Sequence, residues 1–267
     1  MKQILKKFLL LNKKQGETPL ETLEAFRAKN KKYKDVKMTY AGRLDPMASG
    51  LLLVLTGEET KQKEKYLKLS KEYKFSVLFG FATDTYDILG KVTSCARQDL
   101  AQEELKKEIQ KNIKFFSGKF MQKYPMYSSR TVDGKPLFAY ARAGESVKSP
   151  EHEVVVKSLK FLKIRKISTE KLLANIELRI EKIKGPARNA KHGVAGGDFR
   201  QKEILKIWRK ELKSPKQAKD FFVGDFEIKC GSGTYVRGIA NSLGEKMSIS
   251  ALAFSIKRTK VGKFASI

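Results

Sequence analysis

Asp45 is the residue whose neighbours best fit it for nucleophilic or acid–base chemistry. It stands in Tyr40-Ala41-Gly42-Arg43-Leu44-Asp45-Pro46-Met47-Ala48-Ser49-Gly50, between two glycines and directly before a proline. Proline restricts the preceding residue to extended backbone, which keeps Asp45 off a helix face. Gly42 and Gly50 permit sharp turning or close backbone approach, and the small run Met47 to Gly50 leaves room in front of the acid. Leu51-Leu52-Leu53-Val54-Leu55 reads as a short buried strand that would anchor the loop. The same residues also fit an ordinary Asp-Pro turn. Metal and thiol chemistry find little support. Cys95 and Cys230 lack metal-ligand spacing, as expected in a reducing cytoplasm. His152 and His192 are the only histidines and read as structural or exposed.

The elements that would position this loop are legible in outline. Thr18-Pro19-Leu20-Glu21 predicts a helix start, with a capping threonine, proline at the first helical position and a glutamate completing the box. Tyr73, Phe75, Val77 and Phe79 alternate as in a half-buried strand. Asp99 and Gln102 can cap a helix carrying Leu105, Ile109, Ile113 and Phe116 on one stripe. Val154-Val155-Val156 suggests a strand, and so does the alternation of Leu172, Ala174, Ile176, Leu178 and Ile180. Asp198-Phe199-Arg200-Gln201 would cap a helix bearing Ile204, Leu205, Trp208 and Leu212. Phe226, Ile228 and Cys230 alternate before the Gly231-Ser232-Gly233 turn, and Ile239, Leu243 and Met247 mark a last helix. Strands and helices mix without a repeated unit, which points to α+β with a mixed, largely antiparallel sheet.

Charge narrows the partners. Among 267 residues, 56 Lys and Arg face 29 Asp and Glu, a formal net charge of +27. Such an excess favours polyanions and steers their approach. No concentrated basic amphipathic anchor supports a membrane-surface role. The apolar run Phe8 to Leu11 is too short for a signal-peptide core, and no segment approaches transmembrane length, so a cytoplasmic protein is expected. Between Pro125 and Arg142, aromatic Tyr127, Phe138 and Tyr140 stand among Arg130, Lys135 and Arg142, with Lys123 just before them. That mixture suits base stacking combined with phosphate contacts.

Gly42-Arg43-Leu44-Asp45-Pro46 followed by Ala48-Ser49-Gly50-Leu51-Leu52 resembles the signature of pseudouridine synthases, and most closely the TruB-type tRNA pseudouridine-55 synthases. Further segments match in order. They are Lys71-Glu72-Tyr73-Lys74 with Gly80 to Gly90, Pro125-Met126-Tyr127-Ser128-Ser129 with Gly134 to Arg142, and Cys230 to Arg237 with Gly244-Glu245. The resemblance runs from about Asn12 to Phe264. It implies the pseudouridine synthase fold and an isomerase of uridine in the tRNA T-loop, working without metal or cofactor. It assigns the catalytic carboxylate to Asp45, its cationic partner to Arg237, and the aromatic against the target base to Tyr73. Substrate contacts fall to Tyr40, Arg43, Tyr127, Arg142, Tyr235, Ile256 and Arg258. The implied partner is the T-arm of tRNA, bound by a monomer with no obligate protein partner.

Several features depart from the family pattern. Tyr40 stands where a histidine is common. Arg43 replaces a small residue, so that Arg43-Leu44-Asp45 resembles the RluA-type synthases of ribosomal and transfer RNA. The stretch between Val154 and Cys230 is longer than expected and holds Lys184 to Gly193, a basic glycine-containing loop fitted either to touch RNA or to lie solvated. The chain stops shortly after Phe264, where typical members carry an RNA-binding PUA domain. The expectation is therefore one catalytic domain over 1–267 without a PUA domain. It would carry an RNA-contacting insertion at about 120–150 and an extended insertion at about 163–222. The alternatives are the same chemistry on another RNA with RluA-like specificity, or a noncatalytic tRNA-binding or folding protein.

Overall fold

Alternating strand residues and capped helices build one large sheet with helices on its apolar face. The computed structural model describes residues 5–95, 101–183, 200–214 and 220–265. Helix α1 (Pro19–Lys29) starts at its expected box: Glu21 N donates to Thr18 Oγ1 at 3.1 Å and Thr18 N to Glu21 Oε2 at 2.6 Å. Helix α3 (Gln102–Asn112) begins after Ala101, whose N–H is met by Glu104 Oε2 at 2.8 Å. Asp99 lies outside the described residues, as do Asp198, Phe199 and the loop Lys184 to Gly193.

The main sheet runs in the order β1 (Phe8–Lys13), β3 (Ala48–Thr56), β12 (Ala251–Val261), β4 (Lys71–Phe79), β11 (Asp220–Cys230), β10 (Glu151–Ser168), β7 (Gly118–Lys123). Short β2 (Met38–Tyr40) pairs with β3, and β13 (Phe264–Ala265) with β12. Every pairing in it is antiparallel except β3 with β12, where Gly50 faces Arg258. The mixed, largely antiparallel sheet read from the sequence is therefore present. Small ribbons β5 (Ala82–Thr83) with β6 (Val92–Ser94), and β8 (Thr131–Val132) with β9 (Lys135–Pro136), shape two loops beside it. Helices α2 (Lys63–Leu67) and α4 (Leu137–Ala143) are short.

Alternation decides the two faces of the sheet. Phe75, Val77, Phe79, Phe226, Ile228 and Cys230 enter the main core, while Lys74 pairs with Glu227 at 3.2 Å and Lys229 with Glu72 at 3.3 Å on the opposite face. The core is closed by α3, α5 (Thr169–Glu181), α6 (Gln201–Leu212) and α7 (Val236–Lys246). Trp208 of α6 is fully buried, its ring 5.0 Å from that of Phe81.

One expected strand is a helix. Residues 169–181 form α5, with Leu172, Ile176 and Ile180 buried and Leu178 exposed. An apolar series at every second residue contains a series at every fourth, so the pattern fits either period. Ser168, accepting from Lys171 N at 3.3 Å, caps the helix and tips the balance. No helix among the described residues is long and apolar enough to cross a membrane.

Candidate active site

The Asp45 loop joins β2 to β3 and is pinned on both sides of the acid. Leu44 and Met47 are buried in the main core, Ala41 N donates to Leu53 O at 2.8 Å, and Gly16 N donates to Pro46 O at 2.9 Å. The carboxylate between them is left facing outwards, with 37% of the side chain exposed. Gly50 adopts φ +102°, and a Cβ there would lie 2.2 Å from the carbonyl oxygen of Arg258. Only glycine lets β3 approach β12 this closely.

Arg237 lies in the first turn of α7. The preceding Tyr235 is gripped through its backbone by Gln122, whose amide accepts from Tyr235 N at 2.9 Å and donates to Tyr235 O at 3.0 Å. Arg237 then spreads its donors over three segments distant in sequence. Nε binds Asp45 Oδ2 at 2.8 Å, Nη1 the carbonyl of Thr85 at 2.8 Å, and Nη2 the carbonyl of Tyr127 at 2.9 Å. Burial by itself would lower the guanidinium pKa, but Asp45 and Asp87 outweigh it and raise the pKa above its ordinary value. Asp87 is buried, and its carboxylate accepts from Thr85 Oγ1 at 2.8 Å and Leu89 N at 2.9 Å. Burial pushes its pKa up to about 6 against the pull of Arg237 and those donors.

Beneath the loop lies a layer of buried cations. Arg258 is 1% exposed, donating from Nε to Leu51 O at 2.8 Å and from Nη2 to Gly42 O at 3.0 Å. Lys71 donates to Leu67 O at 2.6 Å, and Lys13 to the carbonyls of Ala48 and Lys14. Burial lowers both lysines to about 8. Tyr73 faces Arg258 across the β4–β12 pair. Burial raises its phenol, opposed by Arg258, while the charge of Asp45 adds to the rise.

Aromatic rings line the far side. The Tyr235 ring lies 5.6 Å from the Arg237 guanidinium and edge-on to Tyr124, which stacks on His152 at 3.9 Å. The Arg200 guanidinium covers the Tyr127 ring at 4.5 Å and binds Asp84 Oδ2 at 2.6 Å. Burial and the charge of Asp84 push the Tyr127 phenol up to about 12. Arg142, exposed on α4, lies over Phe138 at 5.2 Å and its charge reaches Tyr127.

The structure thus brings Tyr73, Arg237 and Tyr235 to Asp45, and Tyr127 to Arg237, with Arg43 and Arg142 exposed. It sets Arg258 and Ile256 within the protein, where Arg258 meets backbone carbonyls and Ile256 the main core. Tyr40 packs against a separate apolar cluster with Leu9, Leu23, Tyr33, Leu52 and Val54. Lys13, Asp87 and Arg200 had no functional role in the sequence reading. Asp87 falls inside a matched segment and Lys13 at the start of the matched span, but nothing in residue type reveals that they are buried. Arg200 sits outside every matched motif, and only the docking of α6 brings it to Asp84.

The chain matches the family model "TruB family pseudouridylate synthase (N terminal domain)" over residues 29–186. It is 30% identical to the tRNA pseudouridine synthase B of Lactobacillus acidophilus over 228 residues, 85% of this chain and 60% of that protein. It is 27% identical to the tRNA pseudouridine synthase B of Bordetella avium over 96% of this chain and 81% of that one. The chain therefore spans only part of the relatives it matches. In fold it resembles a chain from the crystal structure of a Cbf5-Nop10-Gar1 complex, with a TM-score of 0.54, 17% identity, and coverage of 97% of this chain and 49% of that one.

Proposed function

The chain belongs to the TruB family of pseudouridylate synthases, and on that premise we propose that it isomerises uridine to pseudouridine in the T-loop of tRNA, at position 55. The observation that carries the reading is the bond from Arg237 Nε to Asp45 Oδ2 at 2.8 Å, formed by a buried guanidinium on a carboxylate that remains open to solvent. An ion pair of this kind fixes the orientation of the acid, while its exposed side stays free to meet substrate.

The reaction breaks a uridine's glycosidic bond, turns the base and rejoins it through carbon 5. The uridine must first leave its stack. Asp45 supplies the carboxylate at the reacting nucleotide. Tyr73 lies against the base, and Tyr127 and Tyr235 wall the pocket in which the detached uracil is kept. Arg43 and Arg142 reach phosphates, with Tyr40 beside the loop entry. Ile256 and Arg258 act from below, by shaping the floor and holding the Gly42 and Leu51 carbonyls. The net charge of +27 supports an RNA partner, and the T-arm is the part engaged. A monomer acting in the cytoplasm completes this reading.

The test is pseudouridine mapping on an unmodified tRNA transcript and a ribosomal RNA fragment after incubation with the protein. One new pseudouridine at tRNA position 55 is the expected result. Product in the ribosomal fragment alone would move the specificity to another RNA. Tight tRNA binding with no product would overturn the catalytic assignment.

A further inference from the structure

We propose that Arg200 is a positioning residue for this reaction, supplied to the pocket by the α5–α6 hairpin and acting through Tyr127. The inference rests on the isomerase reading above and adds to it a part of the chain outside the matched motifs. The hairpin is firmly seated. Trp208 packs on Phe81, Gln201 Nε2 donates to Ile180 O at 3.1 Å, and Lys91 pairs with Glu203. Arg200, at the head of α6, takes φ +56°, a left-handed conformation unusual for a side-chain-bearing residue.

From there the side chain does two things. Its Nη1 neutralises Asp84, a fixed post whose other oxygen accepts from Lys91 N at 2.9 Å, and its plane covers the Tyr127 ring. Tyr127 in turn offers its backbone carbonyl to Arg237, the partner of Asp45. A line of contacts thus runs from the hairpin through Arg200, Tyr127 and Arg237 to the acid. Without the guanidinium, the Tyr127 ring loses the cation over its face, and Asp84, to which the Tyr127 phenol also bonds, loses its ion-pair partner. The pocket wall and the third bond of Arg237 then lose their common support.

The experiment compares wild type, Arg200→Gln, Arg200→Lys and Glu203→Gln in steady-state pseudouridine formation on a tRNA transcript, with binding measured across a salt series. Absence of product from the wild type would be a failure of the isomerase reading itself. Given wild-type turnover, Arg200→Gln is expected to lower kcat by about tenfold or more, with KM within about twofold and an unchanged salt slope. Arg200→Lys, which keeps the charge but not the planar stack, should fall between. Glu203→Gln cuts the ion pair of the hairpin with the Lys91 side chain but leaves the Lys91 N bond to Asp84 intact, and should keep the wild-type rate.

Unchanged kcat in both Arg200 variants overturns the proposal. So does a raised KM with a salt slope lower by about one, which marks a phosphate contact instead. An equal loss in Glu203→Gln also overturns it, by tracing the effect to hairpin docking alone. Should Arg200→Gln fold poorly, Arg200→Lys with and without Tyr127→Leu decides the matter. The lysine effect should vanish when Tyr127 is absent, and its persistence counts against the proposal.

Discussion

Arg237 and Asp45, 192 residues apart in sequence, meet at 2.8 Å with opposite exposures: 3% of the arginine side chain is accessible and 37% of the aspartate. The guanidinium is committed to the protein on three sides, whereas the carboxylate is tied to it through one oxygen and is partly open to solvent. That asymmetry is what the proposed catalytic role of Asp45 requires.

Asp45→Asn keeps the shape of the loop and an oxygen for Arg237 but removes the charge. Isomerisation is expected to fall to background while tRNA binding stays near wild type. Product mapping and a filter-binding titration check both halves. Retained turnover would remove Asp45 from the catalytic role.

Arg237→Met leaves the carbonyls of Thr85 and Tyr127 without their donor and Asp45 without its partner. A buried carbonyl left unsatisfied costs about 1–3 kcal/mol, while the solvent-open Asp45 adds little, so the urea midpoint should drop. A shift below about 1 kcal/mol would mean that the three contacts contribute little.

Asp87 gives stability a pH signature. Its pKa is raised from 3.8 to about 6, chiefly by burial, so the native state holds the proton more tightly than the unfolded chain. The resulting stability is complete below pH 3.8 and is lost as pH rises through about 6. Relative to wild type, Asp87→Asn should therefore gain stability across that window, on the order of 3 kcal/mol. Parallel unfolding curves from acid to neutral pH would contradict this. Lys13 and Lys71, lowered by burial from 10.5 to about 8, give the opposite slope above pH 8, where their deprotonation favours the native state.

Gly50→Ala forces a methyl group to within 2.2 Å of the Arg258 carbonyl at a positive φ. The expected loss is about 1–3 kcal/mol or more, read by thermal or urea unfolding. The loop should suffer with it, because Arg258 also holds Gly42 and Leu51. A neutral substitution would show that β3 and β12 have room to part.

What the sequence made legible were features whose signal is local. The Thr18–Glu21 box, the alternation from Tyr73 to Phe79 and the helix carrying Leu105 and Ile109 each complete their pattern within one element. The segment 169–181 escaped because Leu172, Ile176 and Ile180 satisfy two periods at once, and the choice lay with a cap and with the packing of α6. Asp45 and Arg237 were found through motifs, since no local pattern announces a contact across 192 residues. The burial of Lys13, Lys71 and Asp87, and the reach of Arg200 to Asp84, are properties of the assembled chain alone.

The position of β12 bears on how the protein is made. β12 pairs with β3 on one side and β4 on the other, so among the described residues it is the strand that holds the two halves of the main sheet edge to edge. Asp45 precedes the strand on one half, and Tyr73 sits on the strand at the edge of the other. On a ribosome, residues 8–56 and 71–230 have no shared edge until 251–261 have emerged. The closing step joins segments about 200 residues apart, the kind of long-range pairing that folds late and slowly. A nascent chain halted before residue 251 carries the acid, its arginine and its tyrosine, yet lacks the strand that joins the two parts of the sheet bearing the acid and the tyrosine.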